Sequence, residues 1–205
     1  MKIYKNYSIK EFFRLLISVF LGTQRQKFHY LRLNTGMDEL NSKLKGFDLD
    51  VFPLKYSDMS KADSNVFKGD KLELYKKRFQ DENYYGYGIE ENGKIIYSTW
   101  ISTGNLGLPG VKKLIPLLPN EGLLEDSYCA PEARGRGLHG KMNFYRLKKL
   151  NELGKNRVLA IVMDGNTPAM KVQLKSGFEE LGVFYIGKIL WIPYCTLNKN
   201  KFDNQ

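Results

Sequence analysis

A chain of 205 residues, 42% of them hydrophobic and 13% aromatic, is long enough to close one core of ordinary domain size and too apolar to be disordered as a whole. Its 32 basic and 22 acidic side chains leave a formal charge of +10, which favours anionic ligands without choosing among a nucleotide, a nucleic acid and an acidic lipid. The two cysteines, Cys129 and Cys195, are too few for a secreted disulfide scaffold or a zinc cluster.

Residues 8 to 21 predict a helix. Ser8 caps it, Glu11 stands at the capping-box position, and Phe12, Leu15, Leu16, Val19 and Phe20 make one apolar face. That face is expected to pack on the body of the domain, on a second copy of the chain or on a membrane surface. The stretch from Phe12 to Leu21 contains Arg14, is too short to span a bilayer and has no cleavage pattern after it, so the sequence predicts no integral span, no signal peptide and a cytoplasmic location.

Residues 22 to 48 are polar, contain the run RQKFHYLRL and show no clear element. A strand is expected over Asp50 to Leu54, then a turn in SDMSKADSNVF and a helix over GDKLELYKKRFQ, which places the substrate-binding loop and helices before the next strand. YYGYGIE and IIYSTWIST around Glu91-Asn92-Gly93 predict a hairpin. Alternate members of Tyr84, Tyr85, Tyr87, Tyr97 and Trp100 should share a face, mostly as core packing. Residues 104 to 122, with three prolines, read as a connector or as a short helix at Val111 to Leu118.

A strand over Leu123 to Ala130, a glycine-rich bend, a helix from about Leu138 to Leu153, a strand VLAIVM, a helix over Pro168 to Lys175 and a terminal pair of strands follow. This order predicts a mixed sheet covered by helices. The expected organisation is an extension over 1–48, a main domain over 49–197 and a frayed polar tail over 198–205.

The bend PEARGRGLHGK, from Pro131 to Lys141, leaves a strand and opens a helix. Successive amides and the positive helix end form a pocket for phosphate oxygens, and glycines let an anion reach the main chain. It lacks the Lys-Ser or Lys-Thr pair of a nucleotide P-loop and the context of a dinucleotide fingerprint, so spacing alone leaves a tight structural turn equally open. Arg134, Arg136, Lys141, Arg146, Lys148, Lys149, Lys155 and Arg157 gather here, some for phosphates and others for solvent. No single-strand stacking pattern, zinc finger or recognition helix accompanies them, so nucleic acid is not an expected partner.

The segment EDSYCAPEARGRGLHGKM resembles the signature of the GNAT superfamily of N-acetyltransferases, in which Arg or Gln, two residues, Gly, one residue, then Gly or Ala forms the pyrophosphate loop for CoA. Arg134, Gly137 and His139 stand at those positions, with His139 departing from the small residue and Gly140 following it. Asn166-Thr167-Pro168-Ala169, followed by Gly177-Phe178, is similar to the family's Asn-x-x-Ala and Gly-Phe elements. Thr167 is expected as the cap of that helix, Pro168 as its first residue and Gly177 as its left-handed end.

The resemblance covers Leu49 to Leu197. It implies an α/β fold of α+β type, a single domain with a mainly antiparallel twisted sheet flanked by helices. It also implies binding of acetyl-CoA or another acyl-CoA by Arg134, Gly135, Arg136, Gly137, Leu138, His139 and Gly140, with Asn166 and Ala169 nearby. Tyr128, Cys129 and Ala130 would offer main-chain groups to the pantetheine arm, and His139 would contact phosphate.

An acid on the strand before the loop is the implied base. Glu125 and Asp126 are the candidates; strict alternation would point them to opposite faces, with Glu125 beside Ser127 and Cys129. Gln173 occupies the place of the family's tyrosine acid and cannot donate a proton in that role, leaving Tyr145, Tyr185 or water. The implied acceptor is a small-molecule amine, with an amino sugar favoured. Acetylation of a protein amine and a CoA-binding regulatory module without catalysis are the alternatives.

Overall fold

The structure, a computed structural model, describes residues 24–34, 48–108, 111–189 and 192–199. The helix expected over residues 8 to 21 lies outside them. Among the described residues no helix is long and apolar enough to cross a membrane.

The stretch from 22 to 48, unassigned in the sequence, contributes strand β1 (Gln24–Asn34). Phe28 and Tyr30 are buried on one of its faces, Leu31 and Leu33 on the other. Both faces are covered, so the strand lacks the alternation of a half-exposed one, and Lys27, His29 and Arg32 break what would otherwise be an apolar run. The sheet therefore takes in a strand from the stretch set apart as an extension.

The remaining elements are β2 (Phe52–Pro53), a 3-10 turn at Tyr56–Lys61, α1 (Gly69–Phe79), β3 (Tyr84–Glu91), β4 (Lys94–Ser102), β5 (Asn105–Leu108), β6 (Val111–Pro116), β7 (Glu121–Cys129), α2 (Leu138–Glu152), β8 (Arg157–Met163), α3 (Thr167–Lys175), β9 (Glu179–Ile189) and β10 (Ile192–Cys195). Eight strands form one sheet in the order β10-β9-β1-β8-β7-β4-β3-β2, with β5 and β6 as a separate pair. Among the described strands only β7 and β8 run parallel; the other neighbours are antiparallel. This is the mixed, mainly antiparallel sheet that the sequence predicts.

The connector at 104 to 122 forms the β5–β6 hairpin, not a helix. Leu106 and Leu108 are buried either side of an exposed Gly107, a period of two. They join Phe28, Tyr30, Leu123, Leu159, Phe184 and Ile186 on one face of the sheet. On the opposite face Met142, Leu147 and Leu150 of α2 are fully buried, each contributing roughly 1.5–3 kcal/mol. Gly122 of β7 makes that approach fit, because a Cβ there would run into the Leu150 side chain.

The chain end is not frayed where it is described. Lys199 is buried against the carboxylate of Glu121, which also accepts from the Leu118 amide at 2.8 Å and lies 3.3 Å from Nε of Arg157. A fully buried carboxylate holds that segment in place.

Candidate active site

The pairing of β7 with β8 runs from Glu121–Arg157 to Leu124–Ala160 and stops. Beyond it β7 stays with β4 as far as Cys129, and β8 stays with β1 as far as Met163. The two strands part, and a cleft of about 480 Å³ opens between them. Along β7 from Glu125 the edge towards β8 has no strand partner among the described residues.

A bulge shapes that edge. Thr99 pairs with Ser127 and Trp100 with Glu125, so Asp126 is an extra residue with no partner on β4, at a φ of 20°. The inserted residue overturns the expected alternation. Glu125 lies on the face of Trp100, while Ser127 and Cys129 move to the other with Thr99 and Tyr97. Both carboxylates turn to the same side and meet Arg78 of α1: Glu125 is hydrogen-bonded to its Nη2, and Asp126 lies 3.5 Å from its Nη1.

The Tyr75 hydroxyl donates to Asp126 at 3.0 Å, and Lys71 stands 3.7 Å from it. The Arg78 guanidinium lies 5.4–5.7 Å from the rings of Tyr75, Tyr84 and Trp100. Burial pushes the Glu125 carboxyl up from its ordinary value, against the opposing pull of Arg78.

On the other face of the sheet, α2 presents a polar stripe, His139, Asn143 and Arg146, at helical spacing. His139 turns away from the bend onto the buried Tyr97, with Nδ1 2.6 Å from the hydroxyl. Its side chain thus lines the cleft. Burial and the charge of Arg146 bring its pKa down to about 4, so it is neutral near pH 7.

Arg146 is only 2% exposed, unlike the solvated or phosphate-facing cation expected of this basic cluster. It donates to the Glu125 carbonyl at 3.2 Å and to Asn143 at 2.8 Å. Asn143 in turn donates to Gln173 at 3.3 Å and to Ser176 at 2.7 Å.

The cleft joins these two faces through the sheet. Glu125, Asp126, Arg78, His139, Arg146, Asn166, Ala169 and Gln173 all line it. Asn166 itself, not Thr167, caps α3, its Oδ1 accepting from the Ala169 amide at 3.3 Å, and Pro168 is the second helical residue.

Other expected residues lie elsewhere. Tyr128 donates to Asp63 at 3.2 Å and lines a second hollow with Ala130. The Ala130 amide is taken by the Ile96 carbonyl at 2.8 Å and its own carbonyl by the Ala133 amide at 2.9 Å, so its main chain is already engaged. Burial raises the pKa of the Cys129 thiol, as suits a packing residue more than a nucleophile. Leu138 is buried and anchors the start of α2.

Arg134 is exposed, with Nε 3.3 Å from the Cys129 carbonyl, and Arg136 pairs with Glu91. Gly135 and Gly137 adopt left-handed φ values of 79° and 73°, and neither they nor Gly140 have anything within 4 Å where a side chain would begin. The main chain is bare at the amino end of a 15-residue helix. That arrangement fits a pyrophosphate, and the unpaired β7 edge beside it fits an extended amide-bearing arm, as in CoA.

The sequence did not single out Arg78, Asn143 or Arg146 as site residues. The spacing of 139, 143 and 146 was there to be read, but a cation on a basic helix looks like a surface residue. Nothing local marks Arg78.

No protein-family model matches the sequence, and no curated protein does. Solved structures do match. A conserved protein of unknown function from Staphylococcus epidermidis is 14% identical with a TM-score of 0.59, over 88% of this chain and 67% of that one. A protein assigned to the GNAT acetyltransferase family from Novosphingobium aromaticivorans is 13% identical with a TM-score of 0.53, over 80% of this chain and 65% of that one. The glucosamine N-acetyltransferase region of a fungal multi-domain β-N-acetylglucosaminidase is 14% identical with a TM-score of 0.55, over 89% of this chain and 23% of that protein. The chain thus spans just under two thirds of the Novosphingobium protein and about a quarter of the fungal one. With the parted parallel strands and the glycine bend, these likenesses show that the chain has the GNAT acetyltransferase fold.

Proposed function

We propose that the protein is an acyl-CoA-dependent N-acyltransferase that moves an acetyl or other short acyl group to the amine of a small molecule, with an amino sugar as the leading acceptor. One observation carries the reading. The cleft passes through the sheet, with the bare bend by its α2 face and two carboxylates on its α1 face. A donor and an acceptor can therefore meet from opposite sides, which favours direct transfer without a covalent enzyme intermediate.

When bound, acyl-CoA supplies an activated acyl carbon with a good leaving group. Gly135, Arg136, Gly137 and Gly140 would hold its pyrophosphate, and the β7 edge its arm. Glu125 takes up the proton that the attacking amine sheds, a role helped by a carboxyl pKa raised through burial. Arg78 fixes the orientation of Glu125, and Asp126 binds the incoming amine as an ion. A cleft of about 480 Å³ suits a small acceptor better than a protein tail.

Calorimetric titration with acetyl-CoA and CoA tests this. Saturable binding is expected in the unmodified protein and its loss in the Arg134→Glu/Arg136→Glu protein. Glu125→Gln is expected to keep that binding and to lower turnover about 10²-fold or more on a responsive amine. Absence of binding by folded protein to CoA, acetyl-CoA and longer acyl-CoAs overturns the reading.

A further inference from the structure

Arg146 is a buried cation without an acid beside it. It is 2% exposed and, among the described residues, no carboxylate forms an ion pair with it; its acceptors are neutral, the Glu125 carbonyl and Asn143. Its Nε has no hydrogen-bond partner among the described residues. A charge in such surroundings costs several kcal/mol unless a counter-charge joins it. The titratable and charged groups around it are Tyr97 on β4, Glu125 and Asp126 on β7, His139 on its own helix and Arg78 on α1. Glu125 and Asp126 are engaged by Arg78 on the other face of the sheet. The positive charge, offset only in part by Asp126, therefore stands on the cleft wall, beside His139 and Gln173.

Building on the transferase reading, we infer that Arg146 is the binding site for the thiolate that acyl transfer releases. The ammonium held at Asp126 first gives one proton to water; as the nitrogen–carbon bond then forms, the carbon–sulfur bond breaks, the electron pair stays on sulfur and the second proton that nitrogen sheds goes to Glu125. Arg146 stabilises the sulfur anion by charge, and no side chain has to hand it a proton. The field involved already acts on a neighbour, for the Arg146 charge is one cause of the lowered pKa of His139. A positive field that keeps a base neutral makes a thiol ionise more readily.

The test needs no turnover. The thiol of CoA bound to the unmodified protein is titrated by the ultraviolet absorbance of the thiolate, and the affinities for CoA and desulfo-CoA are compared by calorimetry across pH. The bound thiol is expected to ionise at least about one pH unit below free CoA, a tenfold change in its equilibrium. CoA is expected to gain on desulfo-CoA as pH rises. Arg146→Met should abolish the shift and Arg146→Lys restore part of it; the measurement on unmodified protein stands even if neither variant folds. Equal binding of both ligands with an unshifted thiol overturns the inference and leaves the transferase reading intact. Binding of neither ligand overturns both.

Discussion

At the scale of single residues, His29 is the clearest pH-sensitive group outside the cleft. Its Nδ1 lies 2.8 Å from Glu180 and its Nε2 2.9 Å from Asp164, so one imidazole ties β1 to β9 and to the turn after β8. The Glu180 contact, opposed by burial and aided by Asp164, raises its pKa above the ordinary 6.5. Both carboxylates favour the charged ring, so the clasp is at full strength below the unfolded value and is lost as pH rises through the folded one. His29→Gln is therefore expected to lower the melting temperature most near pH 5.5 or so, with the gap to unmodified protein closing by about pH 9. A gap independent of pH would show that the clasp is not ionic. The acids Glu125 and Asp126 were legible from sequence as residue types. Their common facing was not, because it depends on where β4 fails to match β7, a register that no local pattern encodes.

At the scale of elements, the hairpin turn and the glycine stop of α3 were the legible parts, whereas the cap of α3 lies one residue earlier than expected, at Asn166. The Asn92-Gly93 hairpin has both residues at positive φ, and Gly177 ends α3 with a φ of 94° before the buried Phe178. These are local rules, and they held because each acts within a few residues. β1 and the β5–β6 hairpin escaped because their burial comes from partners far along the chain: Leu31 sits opposite Ala160, and Leu106 packs in one cluster with Phe184. The contact of α2 with β7 is equally non-local and makes a sharp expectation. Gly122→Ala should destabilise the fold by roughly 1–3 kcal/mol in denaturant titration, since the new methyl group meets Leu150. A loss below about 0.5 kcal/mol would mean that α2 slides freely on the sheet.

At the scale of the molecule, the sheet is two sets of four strands, β10-β9-β1-β8 and β7-β4-β3-β2, joined through the short parallel pairing of β7 and β8. Glu121 stands at the closed end of that seam, holding Arg157 and Lys199. Glu121→Ala removes a fully buried acid from the buried Lys199 and the half-buried Arg157 and is expected to cost about 3–5 kcal/mol, read as a fall in denaturation midpoint; a loss under about 1 kcal/mol would show that water reaches the pair. The parting of the strands has a mechanical side as well. The sheet resembles a book with a short spine, and a guest lying in the gutter is gripped by both leaves. Occupancy then reinforces the binding edge, so resistance to heat becomes a gauge of how well a guest fits. Under the transferase proposal, a panel of amines is expected to rank by melting curve in the presence of CoA before a single product has been identified.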